Sequence, residues 1–199
     1  MSHFSCLVIH KEEQDIAELM APYSVELKVK PYISESKDKC YEKYLQAKKD
    51  ARNKPDSFFA KKQKEESNII GMSFEKFKKW YWGKDRIWDK EGNLLTTYNP
   101  NDRWGYFMIG GTWEDFLLKK DGTRCNSCLI TKINWKKPIK TYAIVTPDGK
   151  WHSRGKMLCF GISDETEEQG RSWDLNFYDL NIKPYLSNEF SVTILDCHN

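Results

Sequence analysis

The sequence has no long hydrophobic run. No stretch of its 199 residues approaches the roughly 18 consecutive apolar residues that a membrane-spanning helix requires. The opening residues, Met1 to Phe4, lack the basic segment and the apolar core of a secretion signal. We therefore expect a cytoplasmic protein with no membrane partner.

Glycine and proline are also scarce, at 11 and 7 residues, and there is no repeat or low-complexity tract. This composition excludes collagen-like and wholly disordered proteins. A chain of this length can bury enough surface to fold without disulfides or metal ions. We expect one domain over residues 1–199, six reduced cysteines, no cofactor and no metal site. Cys125 and Cys128 have the spacing of half a zinc site, but no second such pair completes it, which favours two thiols near a strand.

The excess of positive charge is small, at +3. This value is too low for a dedicated nucleic-acid binder, so we do not expect a nucleic-acid partner. The distribution of charge is uneven, because residues 36–67 contain ten basic and six acidic residues. The same segment is rich in helix-forming residues. We predict a charged helical insertion over about 36–67, which either is a solvated face or docks on a host protein.

The apolar pattern predicts an α+β fold with a mostly antiparallel sheet and flanking helices. Residues 3–10 and 190–195 are the most apolar strand candidates, so we expect them to be central and adjacent. Turns separate the remaining strands, and a hairpin is predicted around Gly92. The other predicted strands are 24–33, 116–119, 129–135 and 141–146, and the other predicted helices are 12–20, 73–81 and 169–186.

Aromatic residues cluster around a Gly-Gly pair between residues 98 and 113. Flat aromatic rings can stack on a nucleobase, consecutive backbone N–H groups can hold an anion, and arginine can bind a phosphate. This combination suggests a pocket for a nucleotide-like molecule, whereas a sheet turn with core aromatics would leave the same pattern. The candidate ligand-binding residues are Arg103, Trp104, Tyr106, Gly110, Gly111, Trp113 and Trp151.

A second cluster follows the Pro147-Asp148-Gly149 turn. His152 could act as a general acid or base because the pKa of histidine lies close to neutrality. Arg154 could hold a phosphate or an oxyanion. These two residues are the candidate catalytic pair of a small phosphoester hydrolase or transferase, although an exposed turn histidine often has no function.

A third cluster, Asp196-Cys197-His198, lies near the C-terminus. Neighbouring residues of a strand point to opposite faces, so Cys197 and His198 cannot easily form one catalytic dyad. We expect antiparallel pairing of the terminal strands to place His198 at the opposite end of the sheet from His3. Parallel pairing would instead place His198 near His10. Neither arrangement predicts a catalytic triad.

Several motifs resemble a family of uncharacterised proteins encoded mainly by bacteriophages and prophages. They are Met1-Ser-His-Phe4, Tyr98-Asn-Pro-Asn with Trp104, Ile109-Gly-Gly-x-Trp113, Asp148-Gly-Lys-Trp-His152 with Arg154-Gly155, and Asp196-Cys-His198. Thr112 stands where the family pattern has an arginine.

The resemblance implies a phage accessory protein in the host bacterial cytoplasm that acts against host defence. Its favoured function is binding, and thereby sequestering, a nucleotide-like defence signal. The alternatives are inhibition of a host protein through residues 36–67 and hydrolysis that uses His152. The sequence does not decide whether the protein is an enzyme.

Overall fold

The computed structural model describes residues 3–65, 68–137, 139–156 and 164–199. The chain divides into two compact units, Met1–Leu27 with Asn99–Asn199, and Lys28–Tyr98. The predicted insertion, 36–67, lies within the second unit, which extends beyond it on both sides. The α+β class is confirmed, because helices accompany sheets whose strands are mostly antiparallel.

The strands and helices are numbered in chain order. The strands are β1 His3–His10, β2 Tyr32–Glu35, β3 Ile87–Trp88, β4 Leu94–Thr96, β5 Tyr106–Ile109, β6 Leu117–Leu118, β7 Arg124–Cys125, β8 Ser127–Leu129, β9 Ala143–Val145, β10 Trp151–Ser153 and β11 Ser191–His198. The helices are α1 Ile16–Met20, α2 Lys37–Asn53, α3 Phe58–Glu65, α4 Phe74–Tyr81 and α5 Glu167–Asn181. None of the helices in the described ranges is long and apolar enough to cross a membrane.

The main sheet of the first unit has the strand order β10-β9-β1-β11-β5, with β8 also paired to β11. The predicted central pair is confirmed, since β1 and β11 are adjacent and antiparallel along their whole length. His3 lies directly opposite His198, so the expectation that they occupy opposite ends of the sheet was wrong. Antiparallel pairing sets the start of one strand against the end of its partner.

Alternate residues of the central strands face two hydrophobic clusters. Leu7 and Ile194 point to the side covered by Phe177 of α5, which we call the α5 face. Val8 and Leu195 point to the other side with Met20 of α1, which we call the α1 face. Burial on both faces explains why β1 and β11 read as continuous apolar runs.

Two predicted strands are wrong over most of their length. Of residues 24–33, only Tyr32 and Ile33 lie in a strand, because the segment turns at Leu27, where the first unit ends. Of residues 129–135, only Leu129 belongs to a strand, and a 3-10 helix, Ile130–Lys132, follows it. Ile130 and Ile133 are both fully buried, and their three-residue spacing fits a 3-10 turn better than a strand.

The helix starts predicted near residues 36 and 73 are confirmed by their capping residues. The hydroxyl of Ser73 accepts a hydrogen bond from the backbone of Lys76 at the start of α4, and Ser36 caps α2 in the same way. Thr166 and Gln169 form a capping box at the start of α5. That helix ends at Asn181, earlier than predicted, and a 3-10 turn containing Pro184 follows.

The second unit has its own small core. The fully buried ring of Phe77 packs with Tyr44, Ile69 and Met72, which joins α2 to α4. The Tyr44 hydroxyl donates a hydrogen bond to the backbone oxygen of Met72 at 2.8 Å. A three-stranded sheet, in the order β2-β4-β3, completes the unit and contains the predicted hairpin at Gly92.

Candidate functional site

The structure does not bring the predicted nucleotide-stacking rings together. The Trp104 indole N–H donates to the backbone oxygen of Met20 at 3.0 Å, and the ring packs on the α1 face. Trp151 packs on the same face, edge-on to Phe4. Trp113 packs against the cluster on the α5 face, on the other side of the sheet. The three indoles therefore serve two hydrophobic clusters rather than one pocket.

The predicted anion-binding groups are engaged within the protein. The backbone N–H of Gly110 donates to Ile194, and the backbone N–H of Thr112 donates to a carboxylate oxygen of Asp196 at 2.9 Å. Arg103 directs its guanidinium to the backbone oxygen of Asp102 at 2.7 Å. The turn does bind an anion, as its sequence suggests, but the anion is the carboxylate of Asp196.

His152 and Arg154 lie beside a cavity of about 750 Å³ between β10 and α5. The His152 side chain is exposed in the edge strand β10. Arg154 contacts two carboxylates, Glu165 at 2.8 Å and Asp174 at 3.1 Å. The hydrogen bond to Glu165 raises the pKa of Arg154 above its ordinary value, although burial opposes this rise. The guanidinium of Arg154, which we expected to hold a phosphate, is therefore already paired with these two carboxylates.

A different cluster lies where the two terminal strands meet. It consists of His3 from β1 and Asp196 and His198 from β11, and we call it the His-Asp-His cluster. His3 and His198 are opposite each other in register, and Asp196 is two residues from His198. All three side chains therefore project from the α5 face at one end of the sheet.

The three side chains are in close contact. The Nδ1 atom of His3 lies 3.0 Å from both carboxylate oxygens of Asp196. The Nε2 atom of His198 lies 3.8 Å from Oδ1 of the same carboxylate. The two imidazole rings have their centroids 3.8 Å apart, and the ring of Tyr106 in β5 stands edge-on to His198.

Asp196 lies at the buried end of the cluster, and His3 lies at its exposed end. The side chain of Asp196 is 2% exposed, whereas His3 is 43% exposed and His198 is 16% exposed. Burial raises the pKa of the Asp196 carboxyl, but hydrogen bonds from Thr112 and His3 outweigh it, and the net pKa lies below the ordinary value. Asp196 is therefore a carboxylate at neutral pH.

Gly111 allows the turn to approach this carboxylate closely. Its φ of +60° is a left-handed conformation, and a Cβ atom there would lie 2.6 Å from both Cβ and Oδ2 of Asp196. Of the residues predicted to bind a ligand, Gly111 and Tyr106 lie at the His-Asp-His cluster. Thr112 reaches it through its backbone and its hydroxyl, which lies 3.3 Å from Nδ1 of His3.

Sequence reasoning missed this cluster although two signals were present. Asp196 and His198 are separated by one residue, so in a strand they share a face. Antiparallel pairing of the terminal strands then sets His3 beside His198. From the sequence we weighed Cys197 with His198, which point to opposite faces, and did not weigh Asp196 with His198, which share one.

The predicted thiol pair lies among apolar side chains of the first unit. Cys125 in β7 and Cys128 in β8 pack against the hydrophobic cluster of the α5 face, and both are free thiols. Burial, together with the neighbouring Cys125 thiol, raises the pKa of Cys128 to about 12. At neutral pH the thiolate that a metal ion requires is therefore strongly disfavoured at Cys128. Cys159 lies outside the described residues.

The comparisons with known proteins name no relative. No protein family, no curated protein and no solved structure matches the chain.

Proposed function

We propose that the His-Asp-His cluster binds one divalent transition-metal ion of the zinc class and that the protein is a metal-dependent hydrolase. One observation carries the proposal: two imidazole nitrogens and one carboxylate oxygen, from His3, His198 and Asp196, lie within 4.8 Å of one another. Imidazole and carboxylate are established ligands of catalytic zinc.

The spacing of the donor atoms fits a single ion. Two ligands at about 2.0–2.1 Å from a tetrahedral metal ion are separated by about 3.4 Å. The contact of Asp196 with His3, at 3.0 Å, and that with His198, at 3.8 Å, lie on either side of this value, and the two imidazole nitrogens lie within 4.8 Å of each other. Small side-chain rotations would therefore bring the three donors onto one ion.

The surroundings of the cluster favour a catalytic site over a structural one. Structural zinc sites have four protein ligands, whereas catalytic sites keep a position for water. Here three protein ligands converge, and the exposed edge of His3 leaves one side accessible to solvent. The Thr112 backbone N–H holds the buried carboxylate in place, as the outer partners of metal ligands do.

The bound ion would supply a nucleophile. Held by His3, Asp196 and His198, it would lower the pKa of water at the site. The oxygen of that water would bond to a carbon or phosphorus atom of the substrate, the bond to the leaving group would break, and the leaving group would take up the proton that the water gives up.

The metal centre has better geometric support than the functions suggested by the sequence. The indoles of the predicted nucleotide pocket lie on two faces of the sheet, and the guanidinium of Arg154 already contacts two carboxylates. Sequestration of a nucleotide-like signal and docking on a host protein through residues 36–67 stay predictions from the sequence.

Metal titration tests the proposed site directly. We expect the purified, chelator-treated protein to bind one equivalent of Zn²⁺ in calorimetry, and Co²⁺ to give the visible absorption of a low-coordinate site. His3→Ala and Asp196→Asn should each weaken Zn²⁺ binding by at least 10-fold. His152→Ala is the matched control, because it removes an exposed strand histidine outside the cluster. Unchanged affinity in both cluster variants would contradict the site.

Hydrolysis is tested separately from binding. Chromogenic carboxylic esters and phosphodiesters should be cleaved by the zinc-loaded protein and spared after chelation, with activity restored by added Zn²⁺. The variant His198→Ala should lose this activity while His152→Ala keeps it. Cleavage that persists without metal would instead indicate that the hydrogen-bonded pair His3–Asp196 works as an acid–base group, and would refute the metal mechanism.

A further inference from the structure

The positive charge of the chain is concentrated in the second unit. Residues 28–98 contain 18 lysines and arginines and 11 aspartates and glutamates, a net formal charge of +7. The remaining residues contain 14 basic and 18 acidic residues, a net of −4. The whole-chain charge of +3, on which we based the expectation that nucleic acid is not a partner, averages these two values.

Aromatic rings form a continuous surface on the same unit. The surface consists of Phe58 and Phe59 from α3 and Trp80 and Tyr81 from α4, and we call it the α3–α4 aromatic surface. Neighbouring ring centroids lie between 5.5 and 6.4 Å apart. Phe58 is 59% exposed and Tyr81 is 41% exposed, so flat ring area is open to solvent.

Two lysines, Lys61 and Lys76, flank this surface. Lys61 follows Phe58 by three residues on α3, and Lys76 precedes Trp80 by four residues on α4. These spacings place each lysine beside a ring on the same helix face. Within the described part of the chain neither lysine forms an ion pair, whereas Lys62 contacts Glu65 and Lys78 contacts Glu75. The charge beside the rings is thus available to an external anion.

We infer that the α3–α4 aromatic surface binds single-stranded nucleic acid. Exposed rings stack on unpaired bases without regard to sequence, and free lysines neutralise the phosphates between them. A duplex buries its bases in the stack and would leave the rings without a partner. An acidic peptide would neutralise the lysines, but it has no row of flat bases that could stack on the aromatic rings. The combination of exposed aromatic rings and neighbouring lysines therefore favours single-stranded nucleic acid as the ligand.

The inference is independent of the proposed metal centre. It rests on residues of the second unit, whereas the His-Asp-His cluster lies in the first unit. Binding should therefore persist in the presence of a chelator and in Asp196→Asn. Failure of the wild-type protein to bind metal, with nucleic-acid binding retained, would refute only the hydrolase, and metal binding without nucleic-acid binding would refute only this inference.

Fluorescence anisotropy of the full-length protein with a labelled oligothymidylate of about 20 nucleotides tests the proposal. We expect Phe58→Ala to weaken binding by roughly 5- to 100-fold, since stacking on one base contributes about 1–3 kcal/mol. Leu175→Ala is the matched control, because it removes a side chain of α5 that is even more exposed but lies in the first unit. Circular dichroism should show that both variants keep their helices.

Salt and competitor experiments separate stacking from general attraction to anions. The double variant Lys61→Ala with Lys76→Ala should reduce the slope of log affinity against log salt by about 1–2. Heparin or a duplex of the same length should compete at least 10-fold less well than the single strand. Equal competition by either, or an unchanged affinity in Phe58→Ala, would overturn the inference.

Discussion

The two units of the chain differ in the sign of their net charge and in whether the charged side chains named here are buried or exposed. The first unit, with a net charge of −4, buries a carboxylate, Asp196, at the end of its sheet and surrounds it with donors from Thr112 and His3. The second unit, with a net charge of +7, has lysines beside its exposed rings, Lys61 and Lys76, that form no ion pair with the residues the structure describes. A buried carboxylate costs free energy unless donors surround it.

This difference matches two kinds of recognition. Neighbouring sheet strands fix the relative position of their side chains, which suits a small site whose donor atoms must meet within a few ångströms. Helices with exposed rings and exposed lysines suit a long, flexible polyanion. We therefore expect chemistry in the first unit and contact with an extended partner in the second.

The largest expected effect comes from removing the core of the second unit. Phe77 is fully buried and contacts the rings of Tyr44, Trp80 and Trp82, so Phe77→Ala should destabilise this unit by about 3–5 kcal/mol. If the units differ as their cores suggest, the loss should be local. Hydrogen exchange should then show lost protection in α2 and α4 and unchanged protection in β1 and β11.

Phe58→Ala serves as the control for the Phe77 variant, because it removes the same side chain from an exposed position of the same unit. Its effect on stability should stay below about 1 kcal/mol. Equal loss of protection in β1 and β11 of the Phe77 variant would show that the two units unfold as one, and would end the comparison between them.

A smaller effect is expected from crowding the buried carboxylate of the first unit. In Gly111→Ala, the new methyl group would lie 2.6 Å from Asp196 in a backbone conformation that L-residues rarely adopt. We expect a loss of about 1–3 kcal/mol of stability and weaker Zn²⁺ binding, because the carboxylate must shift. Thermal unfolding and calorimetry measure the two effects.

Gly149→Ala separates crowding from backbone strain. Gly149 also has a positive φ, of +77°, but no neighbouring atom lies within 4 Å of its hypothetical Cβ. The control should lose some stability and keep its metal affinity. Equal affinity losses in both variants would show that Gly111 has no special role at the His-Asp-His cluster.

The architecture followed from local patterns in the sequence. The apolar runs at residues 3–10 and 190–195 predicted a central strand pair, because burial is visible in short segments. The helices predicted to begin near residues 36 and 73 do begin there, where Ser36 and Ser73 cap them. The strand predicted over residues 129–135 was wrong because apolar residues three apart fit both a short 3-10 turn and an irregular strand.

The site depended on pairing, which local patterns do not specify. His3 and His198 are 195 positions apart, and only the register of β1 against β11 sets them opposite each other. The aromatic cluster around Trp104 and Trp113 was misleading for a related reason: proximity along the chain did not place both rings on one face. The expectation about nucleic acid rested on the whole-chain charge of +3, although the basic excess of residues 36–67 already indicated part of the charge of the second unit.

The smallest expected effect concerns turn carboxylates, where the two units should behave alike. Asp148, in the β9–β10 turn, contacts Lys150 and Thr146, and these hydrogen bonds lower its pKa to about 2. Since the folded pKa lies below the unfolded value near 4, its contribution is complete above pH 4 and disappears as the pH falls to about 2. The side chain is 47% exposed, so solvent screening should keep this contribution below about 1 kcal/mol.

Asp89 in the β3–β4 hairpin is the counterpart in the second unit, with its pKa lowered by hydrogen bonds from Asn93. Denaturation of Asp148→Asn and Asp89→Asn between pH 2 and 5 should show a similarly small loss of acid sensitivity, whereas a large effect at one turn alone would show that the units also differ at their turn carboxylates.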